Sequence, residues 1–433
     1  MKLSSFLKTA IVVCVVGATS APVWPASVPI ELEARVAALE SELQALKAQL
    51  AQLRAGATGT TPVTAATATT ADVAAAEQVA PLSWSGYGEL NYSRPADVPA
   101  AARFDLARFV LGAGYRFDER TRLQTEVEIE HAVSSAGDPG EVAIEQAYIE
   151  RELGDDVRAR LGLFLIPSGL LNENHEPTRY YGVFRNAVET AVIPSTWREG
   201  GIGLQGNTHS GLRWDMGITT GFDLSKWDAN ATNGIDSPLG SIHQELALAR
   251  AADLSGYLAA NYTGINGLRV GASVFSGGAA QGQAGLRGNR VTLWEAHARW
   301  RPGVWDIAAV YARGNISNTA AVNLALLGNS TPGSELTLVP ESFYGGYLEA
   351  AWRARIGRPW PLTPFLRYER FNTGASYAGL TPGPAPPALR DRSAVTGGLQ
   401  LEFAPGVVLK ADYVEFSDGR VGDRFDLGIG YEF

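Results

Sequence analysis

From Leu82 to Phe433 the apolar and polar positions alternate with a period of two. In TRLQTEVEIEHA, Leu123, Thr125, Val127 and Ile129 share one face, and Arg122, Gln124, Glu126, Glu128 and Glu130 share the other. In GLRWDMGITTGF, Leu212, Trp214, Met216 and Ile218 oppose Arg213, Asp215, Gly217 and Thr219. In RVTLWEAHARWRPG, Trp294, Ala296, Ala298 and Trp300 oppose Glu295, His297 and Arg299. A strand places successive side chains on opposite faces, so each segment reads as a strand with one apolar side. The pattern predicts sixteen strands, at 82–93, 103–117, 120–132, 141–153, 156–166, 200–209, 211–222, 250–263, 266–276, 289–301, 303–313, 341–357, 361–371, 392–404, 406–417 and 423–433.

Such strands suit either a soluble sandwich or a membrane barrel, and the connections decide between them. Long segments at 94–102, 133–140, 167–199, 223–249, 277–288, 314–340, 372–391 and 418–422 alternate with tight turns such as DER, GDD, HSG, GIN, RPG, GRP and APG. Strict alternation of long loops and short turns is expected of an outer-membrane barrel and is unexplained by a sandwich. The expected fold is therefore all-β, a 16-stranded antiparallel transmembrane β-barrel over 82–433. An open edge in lipid would leave backbone groups unpaired, so the strand DRFDLGIGYEF must close on the first strand near WSGYGEL.

The period differs before residue 82. Leu32, Val36, Leu39, Leu43, Leu46, Leu50 and Leu53 are spaced alternately by four and three. This a/d repeat predicts a short α-helical coiled coil over 30–54, with Arg35 and Glu40, and Glu42 and Lys47, at complementary g and e positions. Leucine at most a positions leaves dimer and trimer open, and a single amphipathic helix packed on a domain is the alternative. Residues 55–80 are rich in Ala and Thr and read as a linker. At the start, Lys2 and Lys8 flank AIVVCVVGA, and small residues follow, which predicts a signal peptide over 1–20. An unprocessed anchor would need a longer apolar run. Cys14, the only cysteine, lies inside it, so disulfides, zinc–thiolate sites and thiol nucleophiles are not expected beyond it. A lipoprotein reading fails on Val13.

The formal charge is −9, and losing Lys2 and Lys8 makes it more negative by two. That balance argues against nucleic acid as a partner. No apolar run after the first segment is long enough for a helical span. The 48 glycines, 10 tryptophans and 15 tyrosines favour all-β structure with many turns.

A barrel of this size encloses an aqueous channel, so its chemistry lies in what narrows it. The third long loop, PSGLLNENHEPTRYYGVFRNAVETAVIPSTWREG, is too apolar for a solvated excursion. Tyr180, Tyr181, Val183, Phe184, Val188, Ile193 and Trp197 should pack inward on the wall. Its charges would then meet solutes: Arg179, Arg185, Arg198 and Glu189, with Tyr180 and Tyr181 shaping the narrow point. The alternative is that each arginine pairs with a loop glutamate and only holds the loop. Arg158, Arg160, Arg213, Arg299, Glu126, Glu128 and Glu130 are expected on the lumen wall. Catalytic signals are weak. The histidines at 131, 175, 209, 243 and 297 show no metal-type spacing, no Ser/His pair stands out, and no cofactor is implied.

GYGEL in the first strand, EQAYIE in the fourth, GLFLIPSGLLNENHEP before the third loop, FRNAVETAVIPSTWREGGIGLQG after it and the terminal GYEF carry a resemblance. The barrel part resembles the phosphate-selective porin O and P family of Gram-negative outer membranes. The resemblance implies a trimeric channel with an inward third loop and pore cations that bind phosphate or polyphosphate. Lysine is nearly absent here and three glutamates share one inward face, which departs from that pattern. The coiled coil is similar to the periplasmic segment of some trimeric porins, including dicarboxylate channels. Implied partners are the lipid bilayer with lipopolysaccharide, two further copies of the chain, and the barrel-assembly machinery, which would read Tyr431 and Phe433. The expected function is passive passage of small hydrophilic solutes, anions such as phosphate or carboxylates first. The other reading is a plugged barrel that anchors the membrane to peptidoglycan through the coiled coil.

Overall fold

A computed structural model describes residues 81–433, apart from 134, 136, 138, 330–334, 354–359, 381–382 and 418–421. The segments expected as signal peptide (1–20), coiled coil (30–54) and linker (55–80) lie outside the described residues.

Sixteen antiparallel strands form one closed barrel. They are β1 Leu82–Pro95, β2 Arg103–Arg116, β3 Thr121–Glu130, β4 Val142–Glu152, β5 Val157–Leu165, β6 Arg198–Asn207, β7 Leu212–Thr219 and β8 Ser255–Ile265. Then follow β9 Leu268–Gly278, β10 Arg290–Trp300, β11 Trp305–Ile316, β12 Ser342–Trp352, β13 Leu362–Ser376, β14 Arg392–Ala404, β15 Val407–Phe416 and β16 Arg424–Glu432. Every strand pairs with its sequence neighbours, and β16 returns to β1 with Tyr87 opposite Glu432 and Pro95 opposite Arg424. Connections of seven residues or more follow the odd-numbered strands and connections of two to four follow the even-numbered ones, except 353–361 after β12, so one rim carries loops and the other turns.

The seam is closed by backbone and by ring packing. Gly86 and Phe433 exchange N–H···O bonds of 3.0 and 2.9 Å. A methyl group on Gly86 would meet the Phe433 ring at 2.7 Å, and one on Gly88 would meet the Tyr431 hydroxyl at 2.4 Å. Two aromatic side chains thus cover two bare stretches of the neighbouring strand.

The alternation places apolar groups outside. Leu161, Ile202, Ile218, Leu348 and Leu366 are 57–62% exposed, whereas Asp215, Glu295, His297 and Glu349 point inward and are buried. An apolar exterior around a polar interior inverts a soluble domain and matches a barrel in lipid.

Two departures from the expected strands have local causes. β13 runs to Ser376 instead of 371, because Asn372 donates to Leu389 O (2.9 Å) and Asp391 Oδ1 (2.9 Å) and binds the returning loop to the strand end. β8 starts at Ser255 instead of 250, because Arg250 N–H and Gln244 Oε1 (2.8 Å) join within the preceding loop. The inner face is also less uniformly polar than alternation implies. On β10 the inward side changes from His297 and Glu295 near the turn rim to Leu293 and Val291 near the loop rim. On β11 it passes from Asp306 to Val310, Ala312 and Ile316. The main apolar core therefore lies inside the barrel, against one side of the wall.

Candidate functional site: a loop across the lumen

The connection 166–197, between β5 and β6, enters the barrel and reaches the wall opposite its root. Its neck is drawn together by one side chain. Asn172 donates to the carbonyls of Ile166 (2.7 Å) and Trp197 (2.8 Å), and its Oδ1 accepts from Trp197 N–H (2.6 Å). Glu189 then fixes the interior of the loop. Its carboxylate accepts from Leu170 N–H (2.6 Å), Leu171 N–H (2.8 Å), Asn186 Nδ2 (3.0 Å) and Tyr347 Oη (2.8 Å). Gly169 has φ +75° beside this carboxylate, and a Cβ there would meet Glu189 Oε1 at 2.3 Å. Only glycine combines that backbone with that approach.

The return limb packs by apolar contact. Val188, Val192, Ile193 and Trp197 join Phe222, Phe275, Leu293, Val310, Phe343 and Phe371 in one buried cluster. The Trp197 ring lies 4.6 Å from Phe275 and 5.5 Å from Phe222, centroid to centroid. These rings fill the apolar inner patch of β9–β12, which explains why the wall is not polar there.

The outward limb is held mainly by single polar contacts, beside one ring stack of Tyr181 on Phe365 (6.0 Å between centroids). Tyr180 Oη donates to Glu89 Oε2 on β1 (2.8 Å), and Arg108 Nε donates to Glu89 Oε1 (2.7 Å). Tyr181 Oη donates to Asp306 Oδ2 on β11 (2.9 Å). Burial pushes both loop hydroxyls well above the ordinary tyrosine range, with Glu89 and Asp306 adding to the effect, so both stay neutral donors. Lys410 Nζ on β15 sits 3.7 Å above the Tyr180 ring and donates to Gly182 O (2.8 Å). Val183 N–H donates to Asp412 Oδ2 (2.6 Å), and Ala187 N–H to Glu369 Oε2 (2.6 Å). Arg424 lies over the Phe184 ring.

Two cavities flank this limb, and Tyr180 lines both. The one toward the turn rim has a volume of about 670 Å³ and is lined by Arg179, Arg269, Arg299, Arg301 and Arg353, with Asp306 and Glu402. The one toward the loop rim, about 360 Å³, is lined by Arg108, Arg185, Arg367, Arg392 and Arg424, with Glu89 and Glu369.

The arginines differ in compensation. Arg179 is half exposed and pairs with Glu432 (3.1 Å). Arg198 is buried and pairs with Glu245 (3.0 Å), away from both cavities. Glu189 likewise lines neither cavity, because its four donors draw it into the packing. Arg185 donates only to Ser195 Oγ (2.8 Å), Thr196 Oγ1 (2.8 Å) and His175 O (3.0 Å). Arg269 donates to Asn261 Oδ1 (2.8 Å) and Arg353 to Gly303 O (3.2 Å). Among the described residues, no carboxylate pairs with Arg185, Arg269 or Arg353.

Most of the residues expected on the wall fall into ion pairs, and Glu126 and Glu130 do not among the described residues. Arg160 is buried against Asp215, and Arg213 meets Glu173 (2.8 Å). Arg158 lies 3.9 Å from Glu150, and Arg299 forks onto Asp306 (both bonds 2.8 Å). Glu128 accepts from Arg108 (3.1 Å), Glu126 accepts from Gln146, and Glu130 is half-buried with its N–H on Glu141 O (2.9 Å). Asn172, Lys410, Arg269 and the receiving carboxylates Glu89, Asp306, Glu369 and Asp412 were not singled out by the sequence. The inward phase of the wall residues was readable, but their pairing with a loop more than a hundred residues away in several cases was not, and nothing in the sequence set Asn172 apart within the loop.

No family model matches the chain. An uncharacterized protein of Aquifex aeolicus (strain VF5) is 30% identical over 366 residues, covering 81% of this chain and 80% of that one. The chain belongs to that protein's family. Among solved structures, Salmonella typhi OmpF in complex with daunomycin superposes with a TM-score of 0.55 at 14% identity, covering 81% of this chain and 97% of that one. An anion-selective porin from Comamonas acidovorans gives a TM-score of 0.48 at 12% identity, over 81% and 99%. The structural neighbours are Gram-negative outer-membrane porins, and what OmpF shares with this chain is the fold.

Proposed function

We propose that the chain is an outer-membrane channel for small hydrophilic anions, narrowed by the loop 166–197. The observation that carries this reading is the crossing limb with uncompensated arginines on either side of it. Arg185 faces the cavity at the loop rim, and Arg269 and Arg353 face the one at the turn rim. Fixed cations in a narrow pore select by sign, and a guanidinium matches carboxylate and phosphate oxygens. Tyr180 shapes the narrow point between them. Arg179 and Arg198 contribute little to selectivity in this reading, since carboxylates already neutralise them. The channel performs no catalysis and works by size and charge.

The turn rim faces the periplasm and the loop rim the exterior. Residues 1–20 direct export, 30–54 form a trimeric stalk, 55–80 connect it to the barrel, and three barrels sit together in lipid and lipopolysaccharide. Tyr431 and Phe433 serve the assembly machinery. Deleting Phe433 removes two backbone bonds at the seam. Assembled yield should fall while surviving channels conduct normally, and a normal yield would count against this role.

Kinship with phosphate-selective porins rests on the quoted motifs. Its test is chloride current with added phosphate. Millimolar phosphate should reduce that current, and an unchanged current would remove phosphate from the reading. The plugged anchor is the second reading, favoured by the buried, hydrogen-bonded Tyr180 between the cavities. Swelling of liposomes in phosphate or succinate separates the two, since an anchor admits neither.

A further inference from the structure

Three residues distant in sequence meet where the loop leaves its root. They are Glu126 on β3, Glu145 on β4 and His175 in the loop. One ligand atom from each lies within 4.8 Å of the other two. Glu145 has no exposed surface and His175 is 4% exposed. Glu145 Oε1 and His175 Nε2 are both buried without a hydrogen-bond partner. Two orphaned polar atoms at one point need an explanation, since each costs about 1–3 kcal/mol when nothing satisfies it.

The surroundings already orient these atoms. His175 Nδ1 lies 2.9 Å from Asn172 O. A carbonyl only accepts, so Nδ1 is the donor, and in the neutral ring Nε2 then presents a lone pair. Arg185 Nη2 holds the His175 carbonyl (3.0 Å), and the Tyr87 ring meets the imidazole edge-on at 5.6 Å. Tyr87 Oη donates to Glu145 Oε2 (3.2 Å), and Gln146 Nε2 donates to Glu126 Oε2. Each ligand is thus fixed through its other atom, the arrangement that supporting groups impose at metal sites. A simple ion pair fits less well. His175 Nε2 is 3.7 Å from Glu145 Oε2, too long for a hydrogen bond, and Oε1 would remain orphaned.

We propose that Glu126, Glu145 and His175 bind one divalent transition-metal ion, which fastens the root of the crossing loop to β3 and β4. One imidazole with two carboxylates suits zinc or manganese(II), whereas calcium and magnesium prefer oxygen ligands alone. Bonds of about 2.0–2.1 Å in a tetrahedral site set ligand atoms about 3.3 Å apart, within reach of small rotations of the two glutamates. Water completes the coordination. A cavity of about 470 Å³ beside the seam is lined by Glu126 and provides the way in. The site stands whether or not the barrel conducts.

The experiment uses the full chain, assembled in detergent, stripped with a chelator and dialysed. Zinc is titrated in, with calcium as the comparison, and bound metal is measured after desalting. One zinc per chain should be retained and no calcium. His175→Ala and Glu145→Gln should each weaken zinc binding by about 10–100-fold or more, while His209→Ala, in an exposed turn, should not. Wild-type protein that retains no zinc overturns the proposal, and so does retention unchanged in both site variants. Should those variants fail to assemble, X-ray absorption at the zinc edge of wild-type protein decides. A single imidazole among oxygen ligands supports the site, and two imidazoles or none overturn it.

Discussion

The two limbs of the crossing loop are held by different balances of contact. The return limb sinks Val188, Val192, Ile193 and Trp197 into an apolar patch on the wall. The outward limb touches the far wall mainly through polar contacts made one group at a time, from Tyr180, Tyr181, Val183 N–H and Lys410, with a smaller apolar contact where Tyr181 stacks on Phe365. Apolar burial is non-directional and grows with the area buried, so it suits the limb that fixes where the loop lies. Charge-assisted bonds are directional, so they suit a limb that must sit at a fixed place against a polar wall. On the proposed reading, a pore lining that is polar yet rigid requires both, one limb anchoring what the other presents.

Changes to the anchoring limb should have the largest effect. Trp197→Ala removes the largest buried ring and should cost about 3–5 kcal/mol of loop docking. The expected readout is a lower temperature for the heat-induced gel shift and a larger, noisier conductance. Glu189→Ala strands two backbone N–H groups and should cost about 2–4 kcal/mol. Its conductance should resemble that of Trp197→Ala, and a quiet, wild-type trace from both would mean that the loop does not depend on this limb.

The presenting limb should respond in selectivity instead. Removing one uncompensated charge some 8 Å from a passing ion, at an effective dielectric near 40, changes its energy by about 1 kcal/mol, roughly fivefold in permeability ratio. Arg185→Ala should therefore lower anion over cation permeability about that much, with a smaller fall in the gel-shift temperature than Trp197→Ala causes, since three loop hydrogen bonds go with the charge. Arg198→Ala provides the contrast. Its charge is already paired with Glu245, so selectivity should change less than about twofold. Equal effects from the two would erase the distinction between paired and free arginines.

Much of this architecture was legible in the chain. A period of two is hard to mistake over so many segments, and alternating connection lengths turn strands into a barrel. The inward loop was legible too, because Tyr180, Tyr181, Val188, Ile193 and Trp197 have no reason to face water. What could not be read was which wall residue each would meet. Asn172 and Glu189 look like ordinary loop polar residues, yet one ties the neck and the other collects four donors. The apolar turn in the inner face of β10 and β11 broke the simple rule of polar inside, and only the docked loop explains it. Arg185 and Arg198 are alike in sequence. Their difference lies in Glu245, supplied by another loop.

The most direct test is the reversal potential of the wild-type protein in a planar bilayer under a salt gradient. Stepwise current reversing at a potential of anion-favouring sign is the expected result. A membrane that carries assembled barrels and passes no current, or a reversal of cation-favouring sign, would contradict it.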